Sequence, residues 1–221
     1  MTAGRGAALG VLTIGQSPRD DIVPTLRKYC PPGTAITELG LLDHMSAEQI
    51  AQLQPCHEAD AIETRLRDGN AVIVSKTALE PLLAAALAEM PRPVLLLCSS
   101  TFAVLESIAG VIRPNELILP IMRHVAAGHR LGVIGPESDL PRQPGYWHPH
   151  VPDAIFAAGS PTDPIDALET AGMRLVGDGA TLLFLDCMGF RDDQREALRQ
   201  AAGVPVVAAT TLVARLLPEI L

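Results

Sequence analysis

Residues 9–14 read LGVLTI and run directly into Gly15, Gln16, Ser17, Pro18, Arg19 and Asp20. An unbroken apolar run of this length, ended by small and polar residues, is the signature of a strand buried on both faces. The same pattern recurs along the chain. Residues 71–74 (AVIV) end in Ser75, Lys76 and Thr77, and residues 94–97 (VLLL) end in Cys98, Ser99, Ser100 and Thr101. Residues 131–134 (LGVI) end in Gly135, Pro136, Glu137 and Ser138. Residues 182–185 (LLFL) end in Asp186, Cys187, Met188 and Gly189, and residues 204–207 (VPVV) end in Ala208 and Ala209. Stretches with apolar spacing near 3.6 lie between them, at 21–29, 46–53, 79–90, 164–175 and 192–202. Strand and helix alternate, which predicts an α/β protein with mainly parallel sheets flanked by helices.

A weak internal repeat divides the chain. Residues 9–15 resemble residues 131–135, and the strand ending at Cys98 has a counterpart ending at Cys187. The expected architecture is two pseudo-symmetric lobes with a cleft between them. Residues 1–102 with 209–221 would form the first lobe and residues 103–208 the second. Ligands of open α/β sheets bind beyond the carboxyl ends of the strands, so both cysteines would point into that cleft. The stretch 141–164 departs from the pattern, with six prolines and the only tryptophan, Trp147. It reads as loop around one short strand at 153–158, forming a cleft rim or an oligomer contact.

Composition narrows the partners. The 221 residues carry 17 Lys+Arg against 25 Asp+Glu, a formal charge of −8 that argues against a polyanion partner; aromatic residues, at 3%, offer few platforms for stacking bases. No apolar run approaches the roughly 18–20 residues needed to span a bilayer. Residues 1–8 lack a secretory pattern. The expectation is a cytoplasmic protein, a possible homo-oligomer, that binds a small carboxylate and neither nucleic acid nor membrane. The sequence lacks GxGxxG, Walker A and GxSxG motifs, and no cofactor is expected.

Four cysteines stand at 30, 56, 98 and 187, in none of the spacings of a zinc knuckle or CxxC motif. Cys30 and Cys56 lie in or beside helical stretches and read as structural. Cys98 and Cys187 each end a strand and precede a stretch expected to open a helix, where the dipole and unpaired N–H groups favour thiolate. One thiolate as base and one thiol as acid, on opposite faces of a carbon, could invert a stereocentre; buried filler is the plainer alternative. Ser99, Ser100 and Thr101 would add hydroxyls and amides for a carboxylate.

Other residues have two readings each. Ser17 and Arg19 form either a carboxylate site or a helix cap beside a surface arginine. Ser75 and Lys76 form a charged strand tip facing the substrate or a solvated strand end. Lys76 is one of only two lysines. Arg123 and His124 read as an interlobe salt bridge or a second anion contact. Asp186 and Glu137 could orient a proton-transfer partner, and Ser138 could cap a helix. His148 and His150, two residues apart in a proline-rich stretch, do not make a metal site, and none is expected.

The run from Gly15 to Asp20, taken with Leu185, Asp186, Cys187, Met188, Gly189 and Phe190, resembles the AroM family. That family in turn is similar to the aspartate/glutamate/hydantoin racemase superfamily. Cys98 to Thr101 stands where the superfamily has Cys-Asn-Thr, and Cys187, Met188 and Gly189 where it has Cys-Thr-His. The resemblance implies two α/β lobes and cofactor-independent proton transfer next to a carboxylate. The implied activity is a racemase, epimerase or isomerase with Cys98 and Cys187 as acid and base. Ser17, Arg19, Ser75, Lys76, Ser99, Ser100, Thr101, Met188 and Gly189 would hold the substrate. A decarboxylase or cis–trans isomerase using one cysteine, or a carboxylate-binding protein without catalysis, are the alternatives. Neither Asn nor Thr follows Cys98 directly, and Thr and His are missing after Cys187, which weakens an amino-acid racemase reading.

Overall fold

A computed structural model describes residues 7–221; the expectation about a leader in residues 1–8 falls almost wholly outside them. The chain divides into two units, one running to Pro114 and taking in Ala214–Leu221, the other Asn115–Val213.

The first unit is built on a four-stranded parallel sheet of β1 (Ala8–Thr13), β2 (Ala35–Gly40), β5 (Val94–Leu96) and β6 (Val111–Ile112), in the order β2-β1-β5-β6. Helices α1 (Val23–Tyr29), α2 (Ala47–Ala51) and α3 (Lys76–Glu89) accompany it. β1 is central and buried from Leu9 onward, which is why its sequence shows no alternation. Leu12, Leu79, Leu83, Val94 and Leu96 meet in its core.

Residues 71–75 do form a strand, but not in this sheet. β4 (Ala71–Ser75) pairs antiparallel with β3 (Ala61–Arg65) as a separate hairpin. The parallel assignment of this run is corrected: its neighbour is only a short turn away, and a tight connection permits antiparallel pairing alone. Ser75 is consequently the N-cap of α3, accepting the Ala78 N–H at 3.0 Å, and Lys76 is the first residue of that helix.

The second unit repeats the plan. Its parallel sheet contains β7 (Leu131–Gly135), β8 (Ile155–Ala158), β9 (Leu182–Leu185) and β10 (Val206–Ala208), in the order β10-β9-β7-β8. Read from the other edge this is β8-β7-β9-β10, the same order of second, first, third and fourth strand as in the first unit. Around it run α4 (Pro114–Val125), α5 (Gln143–Trp147), α6 (Ile165–Gly177) and α7 (Asp192–Ala202), while α8 (Ala209–Ile220) begins in this unit and has its larger part in the first. Leu168, Leu175, Leu183, Leu185 and Leu198 form its core. A Cβ on Gly172 of α6 would lie 2.3 Å from Leu198 Cδ1, so any side chain there would have to displace Leu198 where α6 packs on α7.

The proline-rich stretch is more ordered than expected. Residues 143–147 are helical, with a proline in the first turn, where its missing N–H costs nothing. Trp147 is fully buried, edge-on to Phe184 at 5.4 Å between ring centroids. It belongs to the interior of its unit rather than to a rim. Among the described residues no helix is long and apolar enough to cross a membrane.

Asp60 ties the hairpin to α3. It accepts hydrogen bonds from Ser75 Oγ at 2.5 Å and from the Thr77 hydroxyl and N–H at 2.7 and 2.9 Å. Those bonds, Ser75's first, hold its pKa at about 2 against an ordinary 3.8. A depressed carboxyl stabilises the fold above its unfolded pKa, and that contribution is lost as pH falls toward 2. Ser75→Ala is expected to lose about 1 kcal/mol in urea titrations at pH 7. Its acid unfolding should also begin at higher pH than in the unsubstituted protein, because Asp60 has lost its largest support. An unchanged acid limb would contradict this.

Candidate functional site

The strand tips of the two sheets are built alike. In the first unit the Leu97 N–H donates to Leu12 C=O at 2.8 Å, extending the β1–β5 ladder by one residue, so that Leu97 faces Thr13 and Cys98 comes next. In the second the Asp186 N–H donates to Ile134 C=O at 2.8 Å, extending β7–β9 by one residue, so that Asp186 faces Gly135 and Cys187 comes next. Each cysteine therefore follows the last ladder bond of the third strand in its sheet. At both, the backbone N–H two residues on points at the sulfur: Ser100 N to Cys98 Sγ and Gly189 N to Cys187 Sγ, each 3.4 Å. Beside each first strand lies the point where neighbours on its two sides belong to different crossovers, the usual ligand position of open α/β sheets.

The helix dipole expected at these thiols is not what serves them. Residues 99–102 are irregular and lead into a 3-10 turn, Ala103–Ser107. After Cys187, α7 begins only at Asp192. The tight turn that follows each cysteine supplies a local amide instead. In the first unit Glu80 of α3 fixes that turn, accepting the Ala103 and Val104 N–H groups at 2.8 Å each. Cys98 is buried, while Cys187 retains partial exposure. Cys30 caps the end of α1, where burial pushes its thiol up, and Cys56 is exposed.

Several expected substrate groups already have protein partners. Arg19 is buried; its Nε and Nη2 lie 2.9 and 2.8 Å from the two Asp21 carboxylate oxygens, and Nη1 donates to Thr13 Oγ1 at 3.0 Å. The bidentate edge foreseen for a substrate is thus on Asp21. Burial opposes ionisation of Asp21, but hydrogen bonds and charge from Arg19, with Arg65 2.9 Å away, outweigh it and hold its carboxyl low. Ser17 donates its N–H and hydroxyl to Asp43 at 2.7 and 2.6 Å. Ser75 serves Asp60, as above.

Other expected residues collect around the first thiol. Ser99 and Ser100 are half-buried and Thr101 exposed in the turn after Cys98. Lys76 Nζ lies 5.7 Å from the ring centroid of Phe102, in that same turn. Beside the second thiol, Met188 is buried with its C=O accepting from the Thr210 hydroxyl at 2.7 Å, and Gly189 supplies the N–H to sulfur. Arg123 and His124 are in the last turn of α4, complementing its dipole. His148 Nε2 donates to Ala154 C=O at 3.0 Å, with its ring against Phe156. Ser138 is not a helix cap: it sits inside the 3-10 turn Glu137–Asp139, which Pro136 precedes.

Sequence reasoning singled out Asp186 but missed the polar cluster around it, beside Cys187. Asp186 Oδ2 accepts the Trp147 indole N–H at 2.9 Å. Burial pushes Asp186 up to about 6, against an opposing pull from the indole, with Asp139 adding to the rise. Burial and the Asp186 charge push Tyr146 up to about 12. Gln143, one helical turn before Trp147, is buried at the tip of β7. A Cβ on Gly135 would lie 2.3 Å from Gln143 Nε2, so glycine is what admits this amide. The lone tryptophan was the one available signal, since a buried indole needs an acceptor. A cavity of about 530 Å³ lined by Arg199, Gln200, Gly203, Val204 and Pro205 lies at the amino-terminal side of β10, away from these tips.

The AroM protein family profile matches residues 9–221, so the chain belongs to the AroM family. No curated protein sequence matches it. Among solved structures it is similar to allantoin racemase from Klebsiella pneumoniae, with TM-score 0.61 and 15% identity over 97% of this chain and 87% of that one. Glutamate racemase from Aquifex pyrophilus gives 0.56 and 13%, over 97% and 84%. A maleate cis–trans isomerase from Nocardia farcinica gives 0.55 and 13%, over 95% and 90%. At these identities the likeness is one of fold: the α/β fold of the racemase superfamily.

Because Asp186 is raised in the folded protein, folding favours its proton. Between its ordinary 3.8 and about 6 the folded state binds more protons, so rising pH weakens the fold. That cost is complete above 6 and absent below 3.8. Asp186→Asn keeps an acceptor for the indole and is expected to stabilise the protein at pH 8 by up to about 2 kcal/mol. At pH 3.5 the gain should vanish. Urea titrations at both pH values check this, and destabilisation at pH 8 would contradict it.

Proposed function

We propose that this AroM-family chain is a cofactor-independent enzyme of small carboxylic acids, in which Cys98 and Cys187 move a proton at the carbon next to a carboxylate. The observation that carries the reading is the matched setting of the two thiols. Each follows the last ladder bond of the equivalent strand, and each receives the N–H two residues on. An amide aimed at sulfur favours thiolate, the form that acts as base.

In the reaction one thiolate takes the α-proton and the electron pair of the broken C–H bond passes into the carboxylate as an enediolate. The other thiol gives a proton to the opposite face of the same carbon. One proton is removed and one supplied, with no change of oxidation state, so no redox partner is required. Because each thiol serves as acid in one direction and base in the other, closely matched environments suit the task. The Ser99, Ser100 and Thr101 hydroxyls and amides, with the Lys76 charge, are assigned to the carboxylate. Arg19 contributes positive charge at the β1 tip through Thr13, while Ser17 and Ser75 hold their loops. Met188 and Gly189 shape the turn around Cys187.

A second reading has a specific basis: Cys187 is the more exposed thiol. The similar Nocardia isomerase carries a covalently bound succinylcysteine intermediate, a bond between a cysteine and a small acid in this fold. Cys187 alone could act as nucleophile or proton donor in isomerisation or decarboxylation.

Wash-in of solvent deuterium at the α-carbon, followed by NMR across a panel of small carboxylic acids, separates the readings. Two-thiol chemistry predicts that Cys98→Ala and Cys187→Ala each lose wash-in and inversion by about 100-fold or more. Full activity in Cys98→Ala with none in Cys187→Ala selects the one-cysteine reading. Full activity in both variants would sink the thiol mechanism.

A further inference from the structure

The two strand tips match in backbone but differ in chemistry. Over the β1 tip, Thr13 receives a guanidinium; over the β7 tip, Gly135 receives the Gln143 carboxamide. Gln143 is 4% exposed, and neither its Oε1 nor its Nε2 has a hydrogen-bond partner among the described residues. The hydroxyl oxygen of Ser138, in the same β7–α5 connection, is buried and likewise without a partner among them. A buried carboxamide with both ends unmatched costs the fold free energy that a ligand can recover.

We propose that the tip of β7 is a subsite for a neutral amide edge of the ligand, an N–H beside a C=O, read by the Gln143 carboxamide with the Ser138 hydroxyl. A primary amide offers one donor and one acceptor side by side, and an amide edge meets both in two parallel hydrogen bonds. Exchanging the oxygen and nitrogen of Gln143 leaves that match unchanged. A carboxylate fits worse, because it would satisfy Nε2 and press negative charge on Oε1. The surroundings add to the discrimination: Glu137, Asp139 and Asp186 are acidic, and Arg142 is spent in an ion pair with Asp139. The ligand would then be a small acid whose second polar group is an amide. This deepens the proposed function and rests on it only in taking the strand tips as the ligand site.

The full chain, labelled with 15N-glutamine, gives a direct test with succinamate and succinate as probes. The spectrum of Gln143→Leu identifies the Gln143 side-chain resonance. Succinamate is expected to shift that resonance at about tenfold lower concentration than succinate. A resonance that responds equally to both, to succinate first or to neither overturns the subsite. In calorimetry Gln143→Leu is expected to abolish the advantage of succinamate, with Gln143→Met substituting if the leucine protein does not fold; a retained advantage overturns the assignment. The protein carrying both Cys98→Ser and Cys187→Ser should keep the preference even though proton transfer is lost. Failure of the thiol chemistry and failure of the amide subsite are thereby read separately.

Discussion

Parallel pairing forces each strand to be followed by a crossover, and a sheet that grows to both sides of its first strand must send successive crossovers in different directions. β1 sits between β2 and β5, and β7 between β8 and β9. Beside each first strand the chain therefore departs on both sides, and the last ladder bond there is followed by irregular backbone whose N–H groups have no strand partner. Cys98 and Cys187 occupy that place in their sheets. Their local amides follow from the topology, with no helix required: where the ladder ends, the turn brings the next N–H back onto the side chain that precedes it.

The same constraint explains why so many polar groups near the first thiol bind one another. Loops that leave neighbouring parallel strands are close in space and distant in sequence, so their polar side chains must be satisfied across large separations. Asp43 anchors Ser17, Asp21 pairs with Arg65, and Glu80 anchors the turn after Cys98. Each uses a carboxylate to fix backbone or guanidinium donors, giving a rigid rim on which a thiol can be oriented. The β7 tip is less settled. There a carboxyl pushed up by burial stands near an unmatched carboxamide, the kind of unresolved polar contact that functional sites retain at the expense of stability.

The sequence made the sheet cores legible because strands covered on both faces must be apolar throughout. Residues 9–14, 131–134 and 182–185 have no alternative, and their repeated endings exposed the two similar halves. The edge strand β2 (AITELG) escaped because one of its sides meets solvent and its pattern is mixed. The hairpin was misplaced because AVIV looks the same in a parallel core and an antiparallel ribbon; the pairing partner, not the run, decides between them. At the strand tips, the positions of the two cysteines were visible from the sequence alone. The duties of Arg19 and Ser17 were not, since Asp43 reaches Ser17 from 26 residues away. Gln143 gave no sign, because an isolated glutamine in a proline-rich stretch has nothing to mark it as buried.

In the proposed mechanism, strand-tip amides rather than burial govern the two thiols. Cys30 provides the internal standard, being as buried as Cys98 at 8% exposure and pushed up by that burial. The decisive measurement is the pH dependence of iodoacetamide alkylation, followed by mass spectrometry, in three proteins that each retain only Cys98, Cys187 or Cys30. Midpoints for Cys98 and Cys187 that fall together and below that of Cys30 are the predicted result. Midpoints at or above that of Cys30 would contradict control by the amides.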